Sequence, residues 1–390
     1  MTEPHATLLH LGFCEPISDL NSVAHRSADW NAWDGGQVGG RPSWLQPKDL
    51  PLEPLTCRCC ATPLTFICQL YAPGDGSAFH RSLYIFACPR PECVPQTEGS
   101  VRVLRVQLPM DNPFYPEESE SESVSRHLPE NHGVSLCAVC GQRGKGKCPL
   151  QGMYFCGKYH QREYKTYSNK PWLPSCFSMH ELVVEDEPQQ SEQEREDRQA
   201  LFESTENDDD SDEDLEQGDL NAMTGATKTT TEDVTTTDFY ARIQNAKEQC
   251  LRYSKWQENS ELWIRSDSMP SIIPDCRCGA TRRFECQIMP QMLHYLLQDR
   301  TSQQQTPSKL AKEALMAAAS IVEQAQSVPP MLKQRQDEQL GKIQANLLKS
   351  ELDWGTICIY TCTESCDYID LDEDLGAYHE EYAWKQPPLE

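Results

Sequence analysis

The sequence lacks an uninterrupted apolar run of about 18 residues, the length that a membrane-spanning helix needs. Residues 1–20 contain neither the basic stretch nor the apolar stretch of a secretory signal. Basic residues are scarce, because 35 Lys and Arg face 60 Asp and Glu and give a formal net charge of −25. A chain of this charge repels phosphate backbones and attracts basic partners. We therefore expect an intracellular protein that contacts neither a membrane nor DNA directly.

The short motifs that carry common enzyme chemistry are also missing. The sequence has no Walker loop, no glycine-rich dinucleotide fingerprint, no G-x-S-x-G elbow and no HExxH helix. Single histidines such as His80 and His294 lie among apolar residues, as core histidines do. We therefore expect a protein without enzymatic activity.

Acidic residues are concentrated in one part of the chain. Residues 185–219 contain seventeen Asp and Glu against two Arg, and a Thr-rich stretch follows at 224–237. Such a composition buries too little apolar surface to offset the entropy of ordering, so it predicts disorder over 185–237. One interpretation is a solvated linker between folded parts. Another, compatible with the first, is a mimic of nucleic-acid charge that attracts a basic partner.

The remaining sequence predicts an α+β protein with a β-rich body. Runs rich in β-branched and aromatic residues predict strands over 64–72, 82–88, 101–108, 284–289 and 356–361. Asp238 is a suitable cap for a helix over 239–257, and two further helices are predicted at 308–326 and 331–350. The predicted organisation is an N-terminal half (8–116), an acidic linker (117–133), a zinc finger (134–182), the disordered linker (185–237) and a C-terminal domain (238–387) with a helical insert at 302–350.

Two parts of the sequence match each other. Residues 60–62, 66 and 68–69 align without gaps with 278–280, 284 and 286–287, and the pattern of 83–88 recurs at 358–362. The interval from Cys60 to Cys88 is 28 residues, and that from Cys278 to Cys362 is 84 because of the helical insert. This self-similarity predicts two repeat-related β-rich halves that pack together.

Cysteine is abundant, with nineteen residues. In a chain without an export signal, this count indicates zinc ligands or buried thiols rather than disulfides. Two close pairs of cysteines can hold zinc in a tetrahedron. The repeat provides two such sets: Cys57, Cys60, Cys88 and Cys93 in the first half, and Cys276, Cys278, Cys362 and Cys366 in the second.

The second set differs from the first in one respect. Its first pair is one residue shorter than a standard knuckle, and Asp275 stands where the first cysteine would be. We expect either that Cys276 reaches the metal with altered geometry or that this site binds more weakly. The alternative for both sets is that the thiols pack as small apolar residues.

A third cluster is the most specific. It consists of Cys137, Cys140, Cys156 and His160. These residues resemble the first site of the MYND zinc finger, which binds two zinc ions. In the second MYND site Cys148 is present, but Gln151 occupies the position of its partner, and Cys176 and His180 follow in an unusual order. The sequence therefore predicts a degenerate finger with one zinc ion and leaves the second site open.

All three sets are rich in cysteine and closed, whereas a catalytic zinc keeps an open position beside a general base. We therefore expect structural Zn²⁺ and disfavour a metalloenzyme.

Several short motifs occur in a fixed order along both folded parts. They are residues 11–13 (LGF), 38–45 (VGGRPSWL), 69–73 (QLYAP), 79–84 (FHRSLY), 251–253 (LRY), 262–264 (LWI), 290–293 (PQML), 353–356 (DWGT), 360–366 (YTCTESC) and 384–386 (WKQ). The chain thereby resembles the programmed-cell-death-protein-two family, which includes a "-like" branch and the yeast 20S rRNA accumulation factor. The degenerate finger, the short cysteine pair and the insert indicate the "-like" branch.

The resemblance implies a dedicated chaperone without enzymatic activity. Such a protein captures one newly made basic protein of the small ribosomal subunit and supports subunit assembly and rRNA maturation. It also implies a location in cytoplasm and nucleus, with nuclear export machinery as a further partner. The alternative is a zinc-finger adaptor that docks Pro-rich peptides of nuclear regulators of growth.

Overall fold

The computed structural model describes residues 9–17, 35–74, 78–115, 128–168, 173–187, 231–243, 246–297, 352–367 and 374–388. The strands among them are β1 (His10–Pro16), β2 (Gly36–Val38), β3 (Thr65–Tyr71), β4 (Phe79–Ala87), β5 (Val101–Pro109), β6 (Gly146–Lys147), β7 (Tyr154–Phe155), β8 (His180–Asp186), β9 (Leu251–Tyr253), β10 (Arg282–Ile288), β11 (Thr356–Cys362) and β12 (His379–Gln386). The α-helices are α1 (Lys158–Tyr167), α2 (Thr231–Ile243) and α3 (Met292–Leu296). The described fold is β-rich with few helices, as the sequence predicts.

Ten strands close an antiparallel barrel in the order β1-β8-β2-β3-β4-β5-β12-β11-β10-β9. The ring closes where β1 pairs with both β8 and β9. On the opposite side β5 pairs with β12, with Val103 opposite Glu381 and Arg105 opposite His379. Strands β3, β4 and β5 thus belong to one side of this seam, and β10, β11 and β12 to the other.

The five strands that the sequence predicts are confirmed as β3, β4, β5, β10 and β11. Most of their residues are buried on both faces, because one face lines the barrel interior and loops cover the other. The interior contains Leu83, Ile85 and Val103, whereas Tyr84 and Phe86 pack with Trp44 outside. Covering both faces explains why apolar residues occur on the outer face of these strands as well as on the inner one.

The predicted helix over 239–257 is wrong in its bounds. The helix α2 ends at Ile243, and residues 251–253 form the strand β9 between β1 and β10. Phe239 and Ile243 pack against Leu262 and Met289, which fixes the end of the helix on the barrel. Pairing with two strands outweighs the local helical preference of the following segment.

Disorder over 185–237 is also wrong at both ends of that range. Strand β8 continues to Asp186, and α2 begins at Thr231. Glu187 is held by ion pairs with Arg242 of α2 and Arg252 of β9, at 2.9 Å each. These partners are distant in sequence and leave no local signal. Residues 188–230 lie outside the described residues, as do the linker positions 117–127 and the predicted helices at 308–326 and 331–350.

Residues 134–168, called the finger below, dock on the outside of the barrel. Trp44 Nε1 donates to the Gly141 carbonyl at 2.8 Å, and the Leu55 amide donates to Gln142 Oε1 at 2.6 Å. Gln142 Nε2 donates in turn to the Leu64 carbonyl at 3.2 Å. The finger is therefore fixed to the loop that leads into β3.

A single glycine permits a close approach of β2 to the chain before β8. Gly39 has φ +66°, and a Cβ there would lie 1.8 Å from the Ser178 carbonyl oxygen. Only glycine fits this position, because a side chain would collide with backbone and adopt a left-handed conformation.

Within the described ranges, every helix is too short or too polar to span a bilayer.

Candidate metal centres

The first cysteine set, called site 1, lies at one end of β3 and β4. Cys57 and Cys60 flank a tight turn in which the Ala61 amide donates to the Cys57 carbonyl at 2.8 Å. Cys88 follows β4, and Cys93 ends a 3₁₀ turn over Pro91–Cys93. The Sγ atoms of Cys57 and Cys93 are 3.7 Å apart, and those of Cys60 and Cys88 are 3.6 Å apart. The hairpin β3–β4 thus brings two knuckles together.

The second set, called site 3, has the same arrangement at the end of β10 and β11. The Sγ atoms of Cys276 and Cys366 are 3.6 Å apart, as are those of Cys278 and Cys362. The Cys276 amide donates to the Ala280 carbonyl at 2.8 Å, and Gly279 adopts φ +89°. The shorter first pair therefore still places Cys276 beside the other three thiols.

The finger cluster, called site 2, is formed between the β6–β7 hairpin and α1. The Sγ atoms of Cys140 and Cys156 are 3.8 Å apart. His160 Nδ1 lies 3.7 Å from Cys137 Sγ and 3.0 Å from Cys156 Sγ. All four residues are buried, and His160 occupies the first turn of α1, which aims its ring at the thiols.

The three groups fit a tetrahedral metal. In each, the four ligand atoms lie within 4.8 Å of one another. Zinc binds thiolates at about 2.3 Å, so the sulfur atoms of a tetrahedral site are about 3.8 Å apart. The measured separations of 3.6–3.8 Å agree with this edge. The three groups could hold metal ions and are compatible with zinc.

Most of the chain is similar in sequence to known proteins. The family model "Programmed cell death protein 2, N-terminal domain" matches residues 9–122, and "Programmed cell death protein 2, C-terminal putative domain" matches residues 233–387. The bovine programmed cell death protein 2 is 32% identical over 90% of both chains, and the mouse protein is 32% identical over 90% of both. The chain belongs to the programmed cell death protein 2 family. The mouse programmed cell death protein 2-like is 44% identical over 77 residues, 20% of this chain and 21% of its own. No solved structure matches the chain.

The two family domains each contain one cysteine set. Site 1 lies within the N-terminal domain and site 3 within the C-terminal domain, while the finger lies between the matched ranges. The predicted family is therefore confirmed. Its two domains together build one barrel, because β1–β5 and β9–β12 belong to a single ring, in which β8 lies between β1 and β2.

Hydrogen bonds lower the pKa of one cysteine thiol in each barrel site. Burial raises the pKa of Cys60, but hydrogen bonds from the Thr62 hydroxyl and amide outweigh it and lower the pKa to about 7. At the matching position, the Ala280 amide lowers the pKa of Cys278 to about 7. Burial raises the pKa of Cys93 to about 12 and that of Cys276 still further.

These opposite pKa shifts show how the sites would respond to a metal. Without a cation, the crowded thiols cannot all ionise at neutral pH, because each thiolate would repel the next. A divalent cation removes this penalty and deprotonates its thiol ligands. The donor set therefore favours metal binding over free thiolates.

The weak candidates lie apart from these groups. Cys176 Sγ donates to the Gly40 carbonyl at 3.6 Å, and the His180 ring packs edge-on against Tyr295 at 5.5 Å. Within the described parts of the chain, neither these two nor Cys148 belongs to a group of three or more candidate ligands. Instead, the Glu163 carboxylate of α1 accepts from the Ser175 amide and hydroxyl, both at 2.7 Å. This contact holds the segment around Cys176 against α1.

Sequence reasoning missed the charged residues inside the barrel. Arg81 and Glu285 form a bidentate pair at 2.6 and 2.8 Å and are almost fully buried. Arg105 pairs with Glu381 at 2.7 Å, and both are at most 1% exposed. The available signal was alternation: Arg105 shares a strand face with Val101 and Val103, which are core residues. A charge on that face predicts a buried partner.

Proposed function

We propose that this chain is a chaperone without enzymatic activity that binds a basic protein of the small ribosomal subunit. It would keep that client soluble and support small-subunit assembly and rRNA maturation. Membership of the family and the net charge of −25 support this function. Ribosomal proteins have basic surfaces that are unpaired before rRNA arrives, so an anionic chaperone can shield them.

The observation that carries the proposal is a pair of opposed carboxylates. Glu15 of β1 and Glu181 of β8 are directly paired in register, and both are exposed. Like charges directly opposite each other destabilise a sheet. A cationic partner that lies across both strands would relieve this repulsion. The arrangement therefore favours a basic client over an acidic or neutral one.

The same pair of strands leads into the acidic region of the sequence. Glu185 and Asp186 at the end of β8 are exposed, and residues 185–219 carry a formal charge of about −15. Charge of one sign over such a surface accelerates association with an oppositely charged partner and makes it dependent on salt. We propose that strands β1 and β8 and the following acidic residues act together on the client.

The test is the variant Glu15→Gln/Glu181→Gln, measured for binding to the small-subunit ribosomal protein across a salt series. We expect weaker binding, a shallower salt dependence and a slightly more stable barrel, because the repulsion is lost. Opposite signs in affinity and stability distinguish loss of a recognition surface from general damage.

Glu92→Gln is the matched control, since Glu92 is an exposed carboxylate that already pairs with Arg90 at 3.2 Å. The control should leave client affinity unchanged. Unchanged affinity in the double variant, or equal weakening in the control, contradicts a role for the opposed carboxylates of β1 and β8. Deletion of residues 188–219, which retains β8 and the ion pairs of Glu187, should likewise weaken binding at low salt.

The metal sites would have a structural role in this function. We propose that each of the three sites binds Zn²⁺ and that the finger is a degenerate MYND-like element with one ion. Closed sets of four ligands support a structural ion. Metal analysis of the purified protein should give three zinc ions per chain, and a folded chain without zinc would contradict this.

We also propose that the two halves of the barrel are repeats of one unit. Supporting this, the register shifts at Phe66/Cys68 in β3 and at Phe284/Cys286 in β10. Gln69 and Gln287, one residue further on, each bond the backbone of an adjacent loop residue, Ser43 and Leu262 respectively. Matching bulges and matching glutamines favour duplication.

A second candidate function, an adaptor, is favoured by the surface of the finger. Leu150 is 95% exposed, and Met153, Tyr154 and Tyr159 are each at least 36% exposed. Exposed apolar side chains of this kind fit a Pro-rich peptide of a nuclear regulator. For the adaptor, Leu150→Asp should abolish peptide binding and leave client binding intact. The chaperone proposal predicts in addition that the client still binds the variant Cys137→Ala.

The proposed location is both cytoplasm and nucleus, with nuclear export machinery as a further partner. Fluorescent imaging with and without export inhibition tests this, and a fixed distribution under both conditions would contradict shuttling.

A further inference from the structure

One side chain of β12 holds a ligand segment of site 1. Lys385 is only 4% exposed, and its Nζ donates to the carbonyl oxygens of Cys93 and Val94 at 2.8 and 2.9 Å. The Lys385 amide also donates to the Thr97 carbonyl at 2.9 Å. The fourth ligand of site 1 is therefore positioned by a strand of the C-terminal family domain.

The converse contact exists at site 3. Arg105 of β5 is fully buried, and its Nη2 donates to the carbonyl of Cys366 at 2.6 Å. Its Nε donates to Glu381, whose other oxygen accepts from the Cys362 amide at 3.2 Å. Two ligands of site 3 are thus positioned by a side chain of the N-terminal family domain and its acidic partner on β12.

These contacts cross the seam where β5 pairs with β12. Each strand sends a buried cation to the backbone carbonyl of the last cysteine ligand in the other domain. A second link reinforces site 1, because Glu380 of β12 accepts from Arg58 at 2.8 Å, and Arg58 lies between the ligands Cys57 and Cys60. The geometry is reciprocal at the two sites.

We infer that sites 1 and 3 bind zinc cooperatively, with Lys385 and Arg105 as the positioning residues that couple them across the β5–β12 seam. The inference rests on the proposed zinc occupancy and is independent of the proposed client. Zinc at site 1 fixes the Cys93 carbonyl where Lys385 meets it, which favours docking of β12. Docked β12 presents Glu381 to Cys362 and pairs with β5, which prepares site 3.

The coupling has a physical basis in the cost of burying charge. Lys385 and Arg105 are desolvated, so each needs its acceptors in place, and misplaced carbonyls leave a buried cation without compensation. Loss of metal from one site frees its ligand segment and removes those acceptors. By linkage, the effect of site 1 on site 3 equals the effect of site 3 on site 1.

The first measurement needs no substitution. The zinc-loaded full-length protein is titrated with a chelator, and released cysteines are alkylated and located by mass spectrometry. We expect the eight cysteines of sites 1 and 3 to become reactive in one transition. Two separate transitions, one for each site, would overturn the inference.

Two variants then test direction and route. Cys278→Ser alters an exposed ligand of site 3. In this variant, the four cysteines of site 1 should react at a chelator concentration at least about fivefold lower than in the unsubstituted protein. Cys59→Ser is the control, because Cys59 is an exposed cysteine in the site 1 turn outside the ligand group.

In Lys385→Met, the cysteines of site 3 should be released earlier along with those of site 1. Arg90→Met removes an exposed cation close to Cys93 and should change neither site.

The outcomes separate this inference from the proposed function. Zinc at both sites with independent release contradicts the coupling and leaves the client proposal intact. A chain that binds its client but contains no zinc contradicts the metal proposal itself. Early release of site 1 alone in Lys385→Met, with site 3 unchanged, would reduce Lys385 to a local support and overturn the coupling.

Discussion

The substitution Glu285→Gln tests whether a buried ion pair holds β4 to β10 across the barrel interior. Glu285 is fully buried and accepts from Arg81 Nη1 and Nη2 at 2.6 and 2.8 Å. It also accepts from Tyr253 at 3.3 Å and from Thr361. Arg81 is 3% exposed, so solvent cannot replace the lost carboxylate.

The magnitude follows from the cost of a buried charge without its partner. Removal of one member of a buried pair destabilises a protein by about 3–5 kcal/mol, a large part of a typical stability of about 5–15 kcal/mol. With a slope of about 3 kcal/mol per molar urea, the unfolding midpoint should fall by about 1–1.7 M. Replacing both residues, as Arg81→Met/Glu285→Leu, removes the uncompensated charge and should restore much of the loss.

The assay is urea unfolding of the zinc-loaded, reduced protein followed by circular dichroism. Glu92→Gln, which alters the exposed pair with Arg90, should leave the midpoint unchanged. A Glu285→Gln midpoint equal to that of this control refutes the reasoning. A double variant less stable than the single variant refutes it as well.

Three further predictions concern a buried acid, a glycine and a cysteine. Burial raises the pKa of Asp353 to about 6, although the hydrogen bond from the Trp354 amide and the charge of Lys385 oppose this shift. The folded state therefore loses stability as pH rises from about 4 through 6. In urea unfolding, Asp353→Asn should be more stable than the unsubstituted protein by about 3 kcal/mol at pH 7.5 and should lose most of this advantage near pH 4.5. Gly39→Ala should lower the thermal unfolding midpoint far more than Gly133→Ala. Both glycines have positive φ, but only a Cβ at Gly39 would collide with backbone. Equal shifts would contradict the close approach of Gly39 to Ser178. Cys148→Ser should leave zinc content unchanged by elemental analysis, and loss of one ion would place Cys148 in a metal site.

The strands and ligand sets could be predicted because their signals are local. Strands such as β4 and β5 contain short runs of β-branched, aromatic and other apolar residues, and cysteine pairs separated by a few residues are typical of zinc knuckles. The matching pieces around Cys60 and Cys278 also indicate which cysteines of the two halves correspond. The four ligands of each set lie together in the structure.

The closure of the barrel could not be predicted, because it depends on pairs distant in sequence. The seam joins Val103 to Glu381, and the ring closes through β8, a strand that follows the finger. Residues 251–253 are too few for the alternation of a strand to be recognised, so the sequence predicts a helix there. The charges that tie the domains together, such as Arg105 and Lys385, have no partner within their own segment.

The most direct test of the central claim is native mass spectrometry of the full-length chain co-expressed with the small-subunit ribosomal protein. The account predicts a one-to-one complex that contains three zinc ions and dissociates as salt is raised. A folded chain that contains no metal and leaves the ribosomal protein unbound would contradict it.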